Sequence, residues 1–352
     1  MTTDAPTISF TMSEGFTLTA NFIPNPFLSA VGKYSGLFAS GDVRGQWRLN
    51  LAGSGAFTAR VRYNGVSVSF AGKFDSHGDA LAFAAIPGGP VLVATLHFDA
   101  TGIHGTLSDG AFTADVTLDP PAAGDSPLAG SYTIVIPAAD DATPTTPDGD
   151  GIATLVVDAH GDATLDGILA DGAKFMTRGA ISANNQLAVY IPLYEKAGVL
   201  TGTLIFRDLA TSDLDGALFW SHPEKPGAEM FPNAFAITTT AIGARYTEPA
   251  PGTPILTVPP TENNAALALG DGELTAPIEQ PATLAMDNTV TLPAGFTVTL
   301  KPATGRFKGR FLHPLTGEPA TFRGVILQKQ NAGFGFFLST AASGYATFSP
   351  GE

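Results

Sequence analysis

A five-residue pattern, apolar-x-Gly-x-apolar, recurs along the whole chain and limits what the chain can fold into. Side chains alternate between the two faces of a β-strand, so the glycine and both apolar residues of each copy point to the same side. Glycine weakens the middle of a strand and is typical of places where a sheet bends or another group comes close. The copies are YSGLF (34–38), FAGKF (70–74), IHGTL (103–107), LDGIL (165–169), LTGTL (200–204), LDGAL (214–218), FKGRF (307–311) and FRGVI (322–326). The pattern favours closed or tightly rolled antiparallel sheets whose interiors alternate small and large side chains.

Period-two alternation of apolar and polar residues dominates the sequence, whereas helical periodicity is almost absent. The dipeptide Asn64-Gly65 between two alternating runs indicates a two-residue hairpin. Turn signals delimit eight short strands in residues 33–118 and eight more in residues 131–246. About eight tilted strands close a barrel that side chains or one small ligand can fill. The predicted fold is therefore all-β: tandem antiparallel meander β-barrels or strongly coiled sheets with little helix.

Two proline-rich stretches divide the chain into three predicted units. The predicted order is a first barrel-like unit with an N-terminal strand (1–118), a linker (119–130), a second barrel-like unit (131–247), a linker (248–261) and a third β unit (262–352). GFTLTANF (15–22) resembles GFTVTLKP (295–302), so the same elements begin the first unit and occur late in the third. The sequence leaves open whether the third unit is complete on its own.

The composition indicates a folded protein with many turns. Of 352 residues, 44% are hydrophobic and 14% are charged, and there are 40 glycines and 27 prolines. The sequence has no cysteine, which excludes disulfides, thiolate metal ligands and a thiol nucleophile.

The net charge of −14 is concentrated in the middle of the chain, with about −11 in residues 119–251. This balance predicts no nucleic-acid partner, which would need a basic face. No apolar run is long enough for a membrane-spanning helix, so we expect no membrane insertion. The start, MTTDAPTISFTMSEGF, lacks the basic and apolar regions of a signal peptide. It fits a cytoplasmic protein or a segment of a longer exported chain, and we expect the second.

Several segments resemble the uncharacterised glycine-rich β repeat modules of very large exported bacterial surface proteins. They are FIPNPF followed by GKYSGLF, then GSGAFTA, FAGKFD, GTLSDG and FRGVILQKQNAGFGFFL, and the likeness covers most of the chain. The resemblance implies an extracellular or cell-surface location and a structural or adhesive role, with other copies or neighbouring modules of the same surface protein as partners. The similarity to avidin-type and lipocalin-type meanders is one of fold alone.

The common catalytic motifs are missing: the sequence has no G-x-S-x-G elbow, phosphate loop, dinucleotide fingerprint or H-E-x-x-H. Asp166 and Asp215 each precede the glycine of their motif, so we expect them on the outer face as surface carboxylates rather than as a glycosidase pair. We therefore expect no enzyme activity and no catalytic residue. A hydrolase with an unrecognised site is the third alternative.

Aromatic residues suggest an alternative function as a carbohydrate-binding module, with a polysaccharide as partner. Trp220 precedes Ser-His-Pro-Glu-Lys-Pro, so we expect it to end a strand at an exposed loop, where its ring could stack on a sugar. Trp47, by contrast, is in phase with two leucines and is predicted to be core. The candidate ligand-binding residues are Trp220, His222, Tyr190 and Tyr194.

Few residues suggest a metal, and no cofactor is predicted. The loop 138–151 has a D-G-D-G core that resembles calcium loops but lacks their full pattern, so Asp148 and Asp150 are the candidate calcium ligands and an exposed linker is the simpler interpretation. His97 and His104 flank a predicted turn and could converge on one face of a hairpin, but outward strand polarity explains them as well.

Two strands carry basic residues on their predicted outer face. Arg306, Lys308 and Arg310 lie opposite the phenylalanines of FKGRF, and Arg60 and Arg62 repeat the arrangement in the first unit. Such residues can protect exposed sheet surface from association. They can also dock onto the acidic middle unit of the same or a neighbouring molecule, so these five are the candidate interface residues.

Overall fold

The computed structural model describes residues 9, 11, 14–15, 24–139 and 145–351. Apart from two single-turn 3₁₀ helices, the regular elements of these residues are β-strands, and they include no α-helix. The predicted all-β fold with barrel-like sheets is therefore confirmed. Most of GFTLTANF lies outside the described residues.

Eight strands form the first barrel, as two four-stranded antiparallel sheets around one apolar core. They are β1 (Gly32–Ser40), β2 (Val43–Leu51), β3 (Ala56–Tyr63), β4 (Val66–Lys73), β5 (Asp79–Ala85), β6 (Val91–Asp99), β7 (Gly102–Ser108) and β8 (Thr113–Leu118). Each sheet is a simple meander, β1 to β4 and β5 to β8. The Asp119 N–H, just after β8, donates to the Ser35 carbonyl of β1 at 3.0 Å, which brings the first and last strands together.

The second barrel is one eight-stranded sheet that curls back on itself. Its elements are β9 (Gly130–Ile136), β10 (Gly151–Val157), β11 (Asp162–Ile168), β12 (Lys174–Ala180), β13 (Gln186–Leu193), a 3₁₀ turn (Tyr194–Lys196), β14 (Gly198–Phe206), β15 (Leu214–His222) and β16 (Phe235–Tyr246). The spatial order is β12-β11-β10-β9-β16-β15-β14-β13, so the first strand pairs with the last. The edges of this sheet are β12 and β13, and the barrel is split between them.

The third barrel repeats this plan with its split one strand earlier. It contains β17 (Ala265–Asp271), β18 (Ile278–Leu284), β19 (Val290–Thr291), β20 (Thr297–Lys301), β21 (Arg306–Leu312), β22 (Pro319–Leu327), a 3₁₀ turn (Gln328–Gln330), β23 (Ala332–Leu338) and β24 (Ser343–Pro350). Its order is β19-β18-β17-β24-β23-β22-β21-β20. The first strand again pairs with the last, and β19 and β20 are the edges.

The motif glycines lie where a neighbouring strand comes too close for a side chain. The flanking apolar residues of all eight copies are buried. A Cβ at Gly324 would lie 2.1 Å from Cζ of Phe307, whose ring crosses from the adjacent strand. A Cβ at Gly36 of β1 would lie 1.9 Å from the Thr117 carbonyl oxygen of β8. Glycine therefore makes room for cross-strand rings in one place and for closure of a barrel in the other.

The predicted hairpin at Asn64-Gly65 is confirmed. Both residues have positive φ, 43° and 76°, as a type I′ turn requires. Tyr63 pairs with Val66, so the loop has two residues. The eight strands expected in each of the first two units are present, as β1 to β8 and β9 to β16.

The proline-rich stretches contact the barrels they connect. The Ala183 N–H of the second barrel donates to the Pro120 carbonyl at 2.9 Å, and Pro121 forms a β-bridge with Ser182. Ile255 and Leu256 are 5% and 1% exposed, because they are part of the third core. Successive barrels are therefore joined by segments that are themselves held in place.

Candidate functional site

The aromatic residues predicted to bind a ligand are mostly covered. Trp220 and His222 in β15 are 3% and 8% exposed, and Tyr190 in β13 is 4% exposed. The predicted exposure of Trp220 is wrong, because the chain after β15 folds back and brings Phe231 and Phe235 into the same apolar cluster. The Phe235 ring lies 5.0 Å from the Trp220 ring, edge to face. In this conformation no sugar ring can stack on Trp220.

Tyr194 connects two parts of the second barrel by hydrogen bonds. Its hydroxyl donates to Asp171 Oδ2 at 2.6 Å and accepts from Trp220 Nε1 at 2.8 Å. Burial raises the pKa of the Tyr194 hydroxyl, and the Asp171 carboxylate raises it further. Burial lowers the pKa of His222, whose ring centre is 4.5 Å from that of Tyr194. This network joins β15 to the β11–β12 turn.

The two candidate calcium ligands lie against the third barrel instead of in an exposed linker. The Asp150 N–H donates to the Gly335 carbonyl at 3.3 Å, and burial raises the pKa of the Asp150 carboxyl to about 6. Burial also raises the pKa of Asp148, with a further contribution from Asp271. Asp140 and Asp141 lie outside the described residues. In the described ranges, no group of three or more His, Asp or Glu could hold a metal ion.

The predicted histidine pair lies on the outside of the first barrel. His97 and His104 face each other across β6 and β7. The His97 Nδ1 is 2.8 Å from Asp79 Oδ1, and the His104 Nε2 is 2.8 Å from the Thr101 hydroxyl. Each imidazole therefore has a local partner on its own sheet.

The basic row of β21 divides into one residue that contacts the second barrel and two that are exposed. Arg306 Nη2 is 2.7 Å from both Asp166 Oδ2 and Thr154 Oγ1 of the second barrel. Lys308 and Arg310 are exposed. Arg306 therefore contacts the acidic middle unit of the same molecule, and Asp166 is an interface carboxylate.

Asp215, predicted as a surface carboxylate, is 7% exposed. The Arg207 guanidinium pairs with it, with Nε 3.0 Å from Asp215 Oδ2. The predicted exposure is wrong for this residue, because Arg207 covers it on the outer face of the barrel.

Arg60 belongs to a cleft between the first and second barrels. The cavity has a volume of about 1120 Å³ and is lined by the outer face of β1 to β4 on one side and by β11 to β13 on the other. Lys33, Arg48, Arg60 and Arg178 line it, with Asp162 as the lining carboxylate. An excess of positive charge therefore lies within a strongly acidic protein.

Two side chains of β2 hold the base of this cleft together. The Gln46 amide Nε2 donates to the Ala188 carbonyl of β13 at 3.2 Å, and Arg48 Nη2 donates to the Arg178 carbonyl of β12. These carbonyls belong to the two edges of the split second barrel. The first barrel thus binds backbone acceptors on the two edge strands, which could otherwise pair with a strand of another molecule.

The cations of the cleft lie close to one another. Arg48 is directly opposite Arg60 in the β2–β3 ladder, and Gln46 is directly opposite Arg62. Burial lowers the pKa of the Arg48 guanidinium, and the Arg62 charge lowers it further. Among the described residues, no carboxylate lies within ion-pair distance of Lys33, Arg48, Arg60, Arg62 or Arg178.

Of the residues that line this cleft, only Arg60 was predicted from the sequence as an interface residue, together with Arg62 next to the cleft. Arg48 has the same outward phase as Arg60, which was a usable signal. Arg178 and Ala188 could not be found in this way, because only the tertiary fold brings them to β2.

No protein-family model, curated protein or solved structure matches the chain. Among the described residues, no helix has the length and apolar character needed to cross a membrane.

Proposed function

We propose that the chain is a non-catalytic structural or adhesive module of an exported bacterial surface protein. The interiors of the barrels support this role, because side chains fill them. Trp47, Leu155 and Phe322, one from each core, have no measurable exposure. A filled barrel provides a rigid body rather than a container for a ligand.

The observation that carries the proposal is the interface between the second and third barrels. It has an apolar cluster of its own, formed by Val135, Ile152, Ala170, Ala244, Val325, Leu327 and Phe336. Polar contacts surround the cluster. The Thr133 hydroxyl donates to the Ile326 carbonyl at 2.6 Å, and Lys329 Nζ lies 2.8 Å from Asp213 Oδ1. Contacts of both kinds couple the second and third barrels into one unit.

The resemblance to repeat modules supports an extracellular or cell-surface location. It also suggests that the partners are other copies or neighbouring modules of the same surface protein. The exposed cations Lys308 and Arg310 remain candidates for such contacts. The alternative, carbohydrate binding at Trp220, would require the chain around Phe231 to move away from the ring.

Calorimetry of the whole chain tests the rigid-module proposal. We expect the second and third barrels to unfold in one transition, because their shared cluster is lost when either unfolds. Leu327→Asp places a charge in that cluster and should separate the transition into two. Two separate transitions in the unmodified protein would contradict the proposal.

Antibody labelling of the bacterium that produces the protein tests its location. We expect labelling of intact cells, with little increase after permeabilisation. Labelling that requires permeabilisation would contradict the surface role and leave the coupling of the barrels untouched.

A further inference from the structure

We propose that the cleft between the first and second barrels binds an acidic polysaccharide, through Lys33, Arg48, Arg60 and Arg178. The proposal is independent of the structural role, since ligand binding and coupled unfolding are measured separately. Placing these like charges close together on neighbouring strands costs free energy. Cross-strand neighbours lie about 4.5–5.5 Å apart at Cβ, and like charges there destabilise a sheet.

The protein does not compensate the repulsion between these cations with a carboxylate, as the contacts of Arg48 show. Its guanidinium is partly buried and makes a hydrogen bond to the Arg178 carbonyl, which neutralises no charge. Arg60, directly opposite, is exposed. Two arginines elsewhere in the molecule do have a carboxylate partner: Arg207 pairs with Asp215, and Arg306 pairs with Asp166. The missing negative charge in the cleft is therefore expected to come from a ligand.

The chemistry of the walls favours a saccharide as the carrier of that charge. Hydroxyl and amide side chains alternate with the cations: Ser35, Asn50, Thr58, Ser69 and Thr164 line the cleft. Such groups can donate to and accept from sugar hydroxyls. Guanidinium groups bind carboxylate and sulfate in a bidentate manner. The lining thus matches a polysaccharide that carries both hydroxyls and acidic groups.

The same walls disfavour nucleic acid. Single-stranded nucleic acid is bound by stacking its bases on exposed aromatic rings. The aromatic residues of the lining are Tyr34 and Phe70, which are 2% and 3% exposed and belong to the core of the first barrel. The size of the cleft, about 1120 Å³, is slightly above the range of about 300–1,000 Å³ usual for small-ligand sites and suits several sugar units.

Isothermal titration of the full chain at low salt tests the proposal. The probes are oligogalacturonate for carboxylates, dextran sulfate for sulfates, neutral dextran, and oligo-dT. We expect one or both acidic glycans to bind, with affinity that falls as salt increases. We expect no binding of neutral dextran, and oligo-dT should bind at least about tenfold more weakly than the glycan.

Two cleft variants and one control make the test specific. Arg60→Gln and Arg178→Gln should each weaken binding of the acidic glycan about tenfold, which is the effect of one lost charged hydrogen bond. Arg310→Gln, which removes an exposed arginine from the third barrel, should leave the affinity unchanged. Because Arg60 faces another arginine, Arg60→Gln should melt at the same or a higher temperature than the unmodified protein.

Three results would overturn the proposal. The first is no binding of either acidic glycan at low salt. The second is equal loss of affinity in Arg60→Gln and Arg310→Gln, which would indicate a diffuse charge effect. The third is oligo-dT binding as tight as that of the glycan, which would assign the cleft to a polyanion of another class.

Discussion

The second barrel contacts its two neighbours in different ways. Toward the third barrel it presents a buried apolar cluster surrounded by ion pairs. Toward the first barrel, the apolar clusters stay inside their own barrels, and the contacts are single polar ones such as Gln46 with Ala188. A cation–π contact, with Arg44 4.1 Å from the Phe219 ring centre, adds to them.

The difference indicates that the two junctions serve different purposes. Apolar burial is nondirectional and strong, so the junction of the second and third barrels is suited to holding them as one body. The polar junction of the first and second barrels leaves a cleft, which is where we propose that a ligand binds. The following changes test this contrast.

Phe336→Ala should have the largest effect, because it empties the apolar cluster. Phe336 is 1% exposed, and truncation of such a ring costs about 3–5 kcal/mol. A Trp47→Phe background leaves Trp220 as the one tryptophan, so that fluorescence reports on the second barrel. In this background we expect Phe336→Ala to lower the denaturant midpoint measured by Trp220 fluorescence. Phe83→Ala, which truncates a 59% exposed ring on the first barrel, is the control and should change little. An unchanged Trp220 transition in Phe336→Ala would mean that the barrels are not coupled.

Asp150→Asn should stabilise the same junction in a pH-dependent way. The pKa of Asp150 is raised from 3.8 to about 6 in the folded protein. The protonated form therefore stabilises folding below the unfolded pKa, and this contribution is lost as pH rises through about 6. At pH 7–8 the variant should be more stable by about 2–3 kcal/mol, and below about pH 4 the two proteins should agree.

Urea unfolding at a series of pH values measures this effect. The control is Asp115→Asn, which changes an exposed carboxylate on β8 of the first barrel. Parallel pH profiles for the unmodified protein and Asp150→Asn would show that Asp150 ionises normally and that its burial has no energetic consequence.

The interaction energy between Arg306 and Asp166 should be smaller than the two effects above. Their side chains are 35% and 44% exposed, so a double-mutant cycle with alanine should give about 0.2–1 kcal/mol, decreasing with salt. Lys308 on the same strand provides the control, and a double-mutant cycle of Lys308 with Asp166 should give no interaction energy. A coupling of zero at low salt would leave the apolar cluster as the source of the attachment.

Gln46→Ala should have only a small effect on stability but should loosen the polar junction. One hydrogen bond to Ala188 is lost, worth about 1 kcal/mol. Because the chain has no cysteine, spin labels can be attached at Asp42→Cys and Lys225→Cys, in the first and second barrels. We expect their distance distribution to broaden in Gln46→Ala, while that between Lys225→Cys and Glu318→Cys stays unchanged. If the distance distribution between Asp42→Cys and Lys225→Cys is as narrow with Gln46→Ala as without it, Gln46 does not position the first barrel.

The sequence predicted the barrels well because their determinants are local. The glycine pattern predicted the buried face of the strands that carry it, and Asn64-Gly65 predicted a turn through the φ values that the turn requires. Trp47, predicted as core from its phase in β2, is fully buried. Alternation and turn chemistry act over a few residues, so they can be read without the tertiary fold.

The contacts between barrels were less accessible because they join distant parts of the chain. Gln46 and Ala188 are 142 positions apart, and no periodicity relates them. The predicted exposure of Trp220 was wrong for the same reason. Its strand ends at a loop, as expected, but the residues that follow fold back and cover the ring. Arg60 and Arg62 were found as an outward basic pair, whereas the wall that faces them depends on where β12 and β13 lie.

The pairing of first and last strands determines how the second barrel would respond to tension. In the second barrel, Ser131 at the start of β9 pairs with Tyr246 at the end of β16, so the chain enters and leaves at the same end of one ladder. A pull along the polypeptide would peel these strands apart one hydrogen bond at a time instead of shearing the ladder as a whole. Arg245 fastens this end, since its guanidinium donates to the Ala129 carbonyl at 2.8 Å and to the Tyr132 hydroxyl at 3.0 Å. The barrel is therefore expected to resist a force applied across it, through its contacts with the neighbouring barrel, better than a force applied to its chain ends.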